Sequence, residues 1–224
     1  IAGTVRNAVN VPSVPADQRP TLSPYINLAE RMGLFQAQVF EGGLTQVVVE
    51  YSGEVSSLKL EPITLAALKG LLTPVLNENV NYVNAPIIAK DRGIEIKVSK
   101  TSGGTEYTSL ITIRIKADGK DLSVSGTLNS RKEPRIVQVD NFPMETVPEG
   151  DMLVLTNNDK PGVIGGVGTL LGQNGINIAR MQFGREMQGG RAMSVVSIDS
   201  PASDEVMAKI KKLPNVLSVK QIRI

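Results

Sequence analysis

Cysteine, histidine and tryptophan are all absent from this 224-residue sequence. Without cysteine the chain forms no disulfide and offers no thiolate to a metal ion. Without histidine it lacks the commonest metal ligand and the commonest general base. These absences argue against most hydrolytic and metal-dependent chemistries. We therefore expect neither catalytic residues nor a metal site in this chain.

Aromatic residues are scarce as well, at 4% of the sequence, and 24 basic residues nearly balance 22 acidic ones. Proteins that bind nucleic acids usually concentrate basic charge and interleave aromatic rings that stack on bases, so we expect no nucleic-acid partner. No apolar run approaches the roughly 20 residues that span a bilayer, and the first residues lack the pattern of a signal peptide. The sequence therefore predicts a cytoplasmic protein with no membrane partner.

The length of the chain predicts two domains, since domains commonly hold about 100–150 residues. Pro12, Pro15 and Pro20 stand among small and polar residues, which is typical of a connector. The chain also begins at Ile1 rather than at methionine, so we interpret it as a fragment that follows a missing domain. The predicted divisions are a connector over 1–20, a first domain over 21–145, a linker over 141–150 and a second domain over 150–224.

The first of these domains alternates between helical and strand periodicity and is predicted to be α+β. Two clusters of turn-forming residues, Ser102–Thr105 and Ala117–Lys120, predict hairpin turns. Helices are predicted over 21–40, 62–75 and 83–92, and strands over 44–52, 94–99, 107–116, 121–128 and 135–140.

The second domain gives the clearest pattern. A strand over 152–156 runs into a helix that starts at Pro161, and a hairpin pairs 176–183 with 192–198. A second helix begins at Ser203, and a last strand covers 216–222. The predicted order is βαββαβ, which is the ferredoxin-like arrangement.

The segment Asn157–Gly162 joins the first strand of that domain to its first helix. The start of a helix offers unpaired backbone N–H groups, which attract a carboxylate, and Asp159 can accept hydrogen bonds from an ammonium group. These are the groups of a free amino acid. The predicted effector-binding residues are Asn157, Asp159, Pro161, Gly162, Val163, Ile164 and Asn177. In the alternative interpretation, Asp159 only caps the helix and Asn177 only satisfies the end of a strand.

Residues 151–224 resemble the ACT family in Pro161-Gly-Val-Ile164, Leu170-Leu-Gly172 and Gly175-Ile-Asn-Ile-Ala179. The resemblance implies a small domain that senses an amino acid and assembles as a homo-oligomer. It also implies that the effector lies between two domains, with Asn157 and Asp159 of one chain facing Asn177 of the other.

Four glycines near the start of this helix do not predict a nucleotide site. They lack the G-x-G-x-x-G spacing, and the lysine and hydroxyl residue of a P-loop are absent. We interpret them as positions that let the helix pack closely on its sheet. They are Gly162, Gly165, Gly166 and Gly168.

The first domain resembles the intervening, allosteric substrate binding domain of type I D-3-phosphoglycerate dehydrogenases. The matching segments are Val80–Ile87, Ser125–Leu128 and Arg135–Val139, and Val5–Pro12 resembles the join to the catalytic core of that family. The resemblance implies a parent enzyme that oxidises 3-phosphoglycerate with NAD in the first step of L-serine biosynthesis, with L-serine as feedback effector. This fragment alone would hold no cofactor and be inactive.

The same resemblance implies that the intervening domain binds a phosphate-bearing anion through basic residues. Arg131, Lys132 and Arg135 could donate charge-assisted hydrogen bonds to a phosphate, and a solvated charged turn is the alternative. The segment Asp140–Met144 does not match the basic residues that some family members carry there.

The sequence alone leaves other functions open. The second domain could sense a different amino acid, or it could hold an oligomer together with no effector at all, and saturable amino-acid binding separates these cases. A serine dehydratase subunit has a related intervening domain, but it would bring an iron–sulfur partner and a different N-terminal segment. Nothing in the sequence supports that third interpretation.

Overall fold

The computed structural model describes residue 14 and residues 17–76, 79–101, 106–117 and 119–224. Most of the predicted connector therefore lies outside the described residues, as does the predicted turn Ser102–Thr105. Helix α1 begins at Arg19, inside the predicted connector.

The first domain is a six-stranded sheet covered on one face by helices, with strand order β2-β1-β3-β4-β5-β6. Strands β1 and β2 are parallel, and the other neighbours are antiparallel. The helices are α1 (Arg19–Val39), α2 (Glu61–Leu72) and α3 (Ala85–Asp91), with 3₁₀ turns over Glu54–Ser57 and Thr73–Val75. The strands are β1 (Gln46–Gly53), β2 (Glu95–Thr101), β3 (Ser109–Ala117), β4 (Lys120–Leu128), β5 (Pro134–Val139) and β6 (Phe142–Thr146). The α+β prediction is confirmed.

Strand β6 corrects the linker prediction, because residues 142–146 belong to the sheet. Val139 pairs with Phe142, so Asp140 and Asn141 form a two-residue hairpin turn. Phe142 and Met144 are buried in the core. The turn-forming residues that were interpreted as part of a linker instead make a tight hairpin.

The second domain is a four-stranded antiparallel sheet in the order β10-β7-β9-β8. Its elements are β7 (Asp151–Asn158), α4 (Val163–Gln173), β8 (Ile178–Arg185), β9 (Arg191–Ile198), α5 (Asp204–Lys211) and β10 (Val216–Arg223). The predicted βαββαβ order is confirmed, and Ser203 accepts the predicted helix-start bond from the N–H of Val206 at 3.4 Å. Helix α4 begins at Val163, two residues after the predicted start.

The apolar core of the first domain extends to one face of the sheet of the second domain. Leu153 and Leu155 of β7 lie in the cluster beneath α4 and α5, whereas Met152 and Val154 belong to the cluster that contains α1. This division follows from strand alternation, which sends successive side chains to opposite faces. The Gln38 amide then holds the outer strand β10, donating to the carbonyl of Arg223 and accepting from its N–H, each at 3.0 Å.

The turn residue Asp140 carries a partly buried carboxyl group at the hairpin between β5 and β6. Its backbone has a φ of 48°, and its carboxylate accepts from the N–H of Ser123 at 2.7 Å. Burial, and to a lesser extent the nearby Asp121, raise the pKa of the Asp140 carboxyl. A raised folded-state pKa means that this group favours folding below its unfolded pKa and loses that contribution as the pH rises through the folded pKa.

We therefore expect Asp140→Asn to stabilise the protein at neutral pH. Asparagine keeps an acceptor for Ser123, tolerates the left-handed backbone and carries no charge to desolvate. The free energy of unfolding in urea should rise by up to about 1 kcal/mol at pH 7 and by less at pH 4. Equal or lower stability of Asp140→Asn at pH 7 would show that the charged carboxylate of Asp140 does not destabilise the folded protein at that pH.

Candidate effector site

Asn157 lies at the end of β7 on the side of helix α4. Its side chain is 1% exposed. The amide nitrogen donates to the carbonyl of Asn158 at 2.8 Å, but the amide oxygen Oδ1 is buried without a hydrogen-bond donor. Leaving a buried acceptor unpaired costs on the order of 1–3 kcal/mol, so such atoms usually meet a water, an ion or a ligand. Asn157 thus carries a buried acceptor that is unpaired among the described residues.

The start of α4 supplies donors at the same end of β7. Gly162 is the N-cap residue, with a φ of 95° that favours glycine, and it provides no side-chain cap. The first bond into the helix runs from the N–H of Gly166 to the carbonyl of Gly162 at 2.8 Å. The N–H groups of Val163 and Ile164 lie in the uncapped first turn, where the helix dipole favours an anion. Pro161 lies in the exposed turn just before them.

Asp159 does not cap this helix, so that alternative is wrong. Its Oδ2 atom accepts from the N–H of Gly189 at 3.0 Å and from Nη1 of Arg185 at 3.3 Å. These bonds, the one from Gly189 first, lower the pKa of the Asp159 carboxyl. The backbone N–H of Asp159 donates to the carbonyl of Gly190 at 2.8 Å. Asp159 therefore joins the β7–α4 loop to the β8–β9 turn and stays ionised.

Asn177 lies at the opposite end of the sheet. Ile178, the next residue, pairs with Ile198, as does Asp151 at the start of β7. Six residue steps of about 3.3 Å separate that level from Asn157, so the two asparagines lie roughly 20 Å apart in one chain. The Asn177 amide donates to Asp199 at 2.8 Å, which satisfies the end of the strand as the alternative predicted. One chain alone does not bring the predicted residues together.

Arg185 was not among the site residues predicted from the sequence. This last residue of β8 pairs with Ala192, as Asn157 does, so all three lie at one level of the sheet. The hairpin register was the one signal that could have placed it there.

The predicted anion-binding residues do not converge in the structure. Arg135 is 17% exposed and is paired with Glu133 at 2.8 Å and Glu145 at 3.6 Å. Lys132, with a φ of 59°, lines a cleft of about 600 Å³ that includes neither Arg131 nor Arg135. Anion binding by these residues stays a prediction.

Three of the helix glycines contradict the close-packing interpretation. A Cβ atom added at Gly165 or Gly168 would meet nothing within 4 Å, and one at Gly166 would meet Leu213 at 3.6 Å. These positions have room for a side chain, so α4 does not need glycine there for contact with its sheet.

Other ligand classes find little support in the described part of the chain. No group of three carboxylates there could hold a metal ion, and no helix there is long and apolar enough to cross a membrane. The parallel strands β1 and β2 could suggest a dinucleotide site. However, the segment from Gly53 to Leu60 that follows β1 has one glycine and carries Glu54, so it cannot cradle a pyrophosphate. Within the described residues, the segment after β1 therefore does not fit the pyrophosphate of NAD.

Comparison with known proteins gives two family matches. The D-3-phosphoglycerate dehydrogenase intervening domain matches residues 21–140, and the ACT domain matches residues 152–215.

Similar proteins named D-3-phosphoglycerate dehydrogenase occur in distant organisms. The protein from Methanocaldococcus jannaschii is 40% identical over 218 residues, which cover 97% of this chain and 41% of that protein. The protein from Synechocystis is 36% identical over 220 residues, covering 98% and 40%, and that from Bacillus subtilis is 33% identical over 218 residues, covering 97% and 42%. The chain therefore spans about two fifths of the length of these relatives. It belongs to the D-3-phosphoglycerate dehydrogenase family, of which it carries the intervening domain followed by the ACT domain.

Proposed function

We propose that this chain is the amino-acid-sensing part of a D-3-phosphoglycerate dehydrogenase and that it binds L-serine at the start of α4. The observation that carries the proposal is the buried Oδ1 atom of Asn157, which has no donor and lies beside a helix start without a side-chain cap. Asp159 adds an ionised carboxylate to the same loop. Together, an acceptor without a donor, a helix start that attracts anions and a carboxylate are complementary to the polar groups of an amino acid.

The chemistry assigns each group a role. The carboxylate of the effector accepts from the N–H groups of Val163 and Ile164 in the first turn of α4. The ammonium group donates to Asp159. The hydroxyl of serine can donate to Oδ1 of Asn157, which removes the cost of the unpaired buried acceptor. A hydroxyl-bearing effector is therefore favoured over an apolar one of similar size.

A second copy of the chain would complete the site. Among the described residues β8 pairs with β9 alone, so its other edge is open to another strand. If two copies pair their β8 strands antiparallel about a twofold axis, Ile178 of the partner subunit lies near Arg185 of the first. Asn177 of the partner subunit would then lie beside the Asn157–Gly162 loop. This arrangement supports a homo-oligomer with effector sites between its ACT domains.

The names of the relatives support an activity for the parent protein. We infer that it oxidises 3-phosphoglycerate with NAD through segments outside this chain, and that serine acts as a feedback effector. Serine can lower that activity only if it binds one arrangement of the domains more tightly than another.

Titration calorimetry of the purified chain with L-serine tests this proposal. Glycine, L-valine and 3-phosphoglycerate serve as comparison ligands. Saturable binding of serine, tighter than that of glycine or valine, is the expected result. Binding of valine alone would mean that the site senses another amino acid. No saturable binding of any amino acid by the folded oligomer would leave an assembly module without effector.

A further inference from the structure

Arg185 occupies the position where the effector site would meet its second subunit. Its Nη1 atom lies 3.3 Å from Oδ2 of Asp159, the carboxylate assigned to the effector ammonium. Its strand level is that of Asn157. It is also the residue of β8 that would face the start of the partner's β8. A positive charge thus already lies beside the carboxylate that the effector ammonium would need.

The contact is weak enough to be displaced. The Arg185 side chain is 55% exposed, and an exposed ion pair contributes little because water and salt screen it. An ammonium group brought to the same carboxylate must either move the guanidinium aside or accept a like charge a few ångströms away. Both alternatives weaken ammonium binding. A ligand whose carboxylate also engages the start of α4 can offset that loss, whereas a simple amine cannot.

We propose that Arg185 is an internal competitor for the effector ammonium at Asp159. This inference rests on the proposed function and adds a regulatory element to the same site. Arg185 raises the effector concentration needed for half-saturation. It also restricts the site to ligands that carry both an ammonium and a carboxylate, and it disfavours amino acids with a second positive charge.

The test compares three substitutions by titration calorimetry with L-serine. Arg185→Gln removes the competing charge, and serine affinity should increase roughly two- to fivefold, the range expected for an exposed ion pair. Arg185→Lys keeps the charge and should bind serine much as the unaltered chain does. Lys209→Gln is the matched control, because Lys209 lies in the same domain but outside β8, is 49% exposed and pairs with Glu205 at 2.6 Å. That change should leave serine affinity unchanged.

Weaker binding by Arg185→Gln would overturn the inference and make Arg185 a direct ligand of the effector. Unchanged binding would overturn it as well, as would an equal gain in Lys209→Gln, which would reflect net charge alone. If the unaltered chain binds no amino acid, the proposed function fails, and the inference falls with it. Urea unfolding of each variant confirms that the compared proteins are folded.

Discussion

Asp159→Ala is expected to lower the affinity for L-serine by roughly 10- to 100-fold, the range for loss of a charged hydrogen bond, while the protein stays folded. In the proposed site Asp159 is the carboxylate that accepts from the effector ammonium, so its removal would leave that group without an anionic partner. The carboxylate does not cap α4, and its hydrogen bonds among the described residues come from the N–H of Gly189 and from the exposed Arg185. The helix should therefore survive the change.

Titration calorimetry measures this loss, and the urea unfolding midpoint checks the fold. Asp151→Ala is the matched control, because Asp151 begins the same strand at the end distant from Asp159 and lies two strands away from the β8 edge. It should bind serine like the unaltered chain. If Asp159→Ala keeps full affinity, the ammonium binds elsewhere and the assigned orientation of the effector is wrong.

Gly70→Ala is expected to destabilise the protein by about 3–5 kcal/mol, more than most single substitutions do. Helices α1 and α2 cross at this residue and at Gly33. A Cβ atom on Gly70 would overlap the backbone oxygen of Glu30 and lie 2.9 Å from the backbone nitrogen of Leu34. Backbone atoms of a helix cannot move aside as a flexible side chain can, so the two helices must separate.

Gly168→Ala is the control for this prediction. Gly168 also lies inside a helix, but a Cβ atom there meets nothing within 4 Å. Alanine favours the helix over glycine, so stability should increase by up to about 1 kcal/mol. Urea unfolding measures both changes. A loss of less than about 1 kcal/mol for Gly70→Ala would mean that the helices do not cross as closely as described.

Elements with local signals were predictable. In the second domain, residues such as Pro161 and the N-cap Ser203 marked where helices begin, and the βαββαβ order was predicted with their help. Strand β6 was missed because turn-forming residues such as Asp140 and Asn141 are common both in tight hairpins and in linkers. The close crossing at Gly33 and Gly70 depends on residues 37 positions apart in the chain, and periodicity within either helix does not reveal it.

The candidate site shows the same division. The loop Asn157–Gly162 was predicted because adjacent residues carry a helix start and a carboxylate. Arg185 was missed because its contact with Asp159 spans 26 residues and depends on the hairpin register. Asn177 was also predicted, with its place opposite Asn157 of another chain implied by the resemblance, but its distance from Asn157 within one chain follows only from the parallel directions of β7 and β8. Sequence thus predicted the local part of the candidate site and did not predict the contact of Asp159 with Arg185.

The most direct test of the amino-acid site is a nuclear magnetic resonance titration of the ¹⁵N-labelled chain with L-serine. The account predicts that the backbone amide signals of Gly162, Val163 and Ile164 shift saturably, together with the side-chain amide of Asn157. Asn177 should shift in the same titration, because in the proposed oligomer the partner subunit contributes it to the site. Shifts confined to the cleft between the two sheets, which Thr112, Ser125 and Arg191 help to line, would contradict the proposed site.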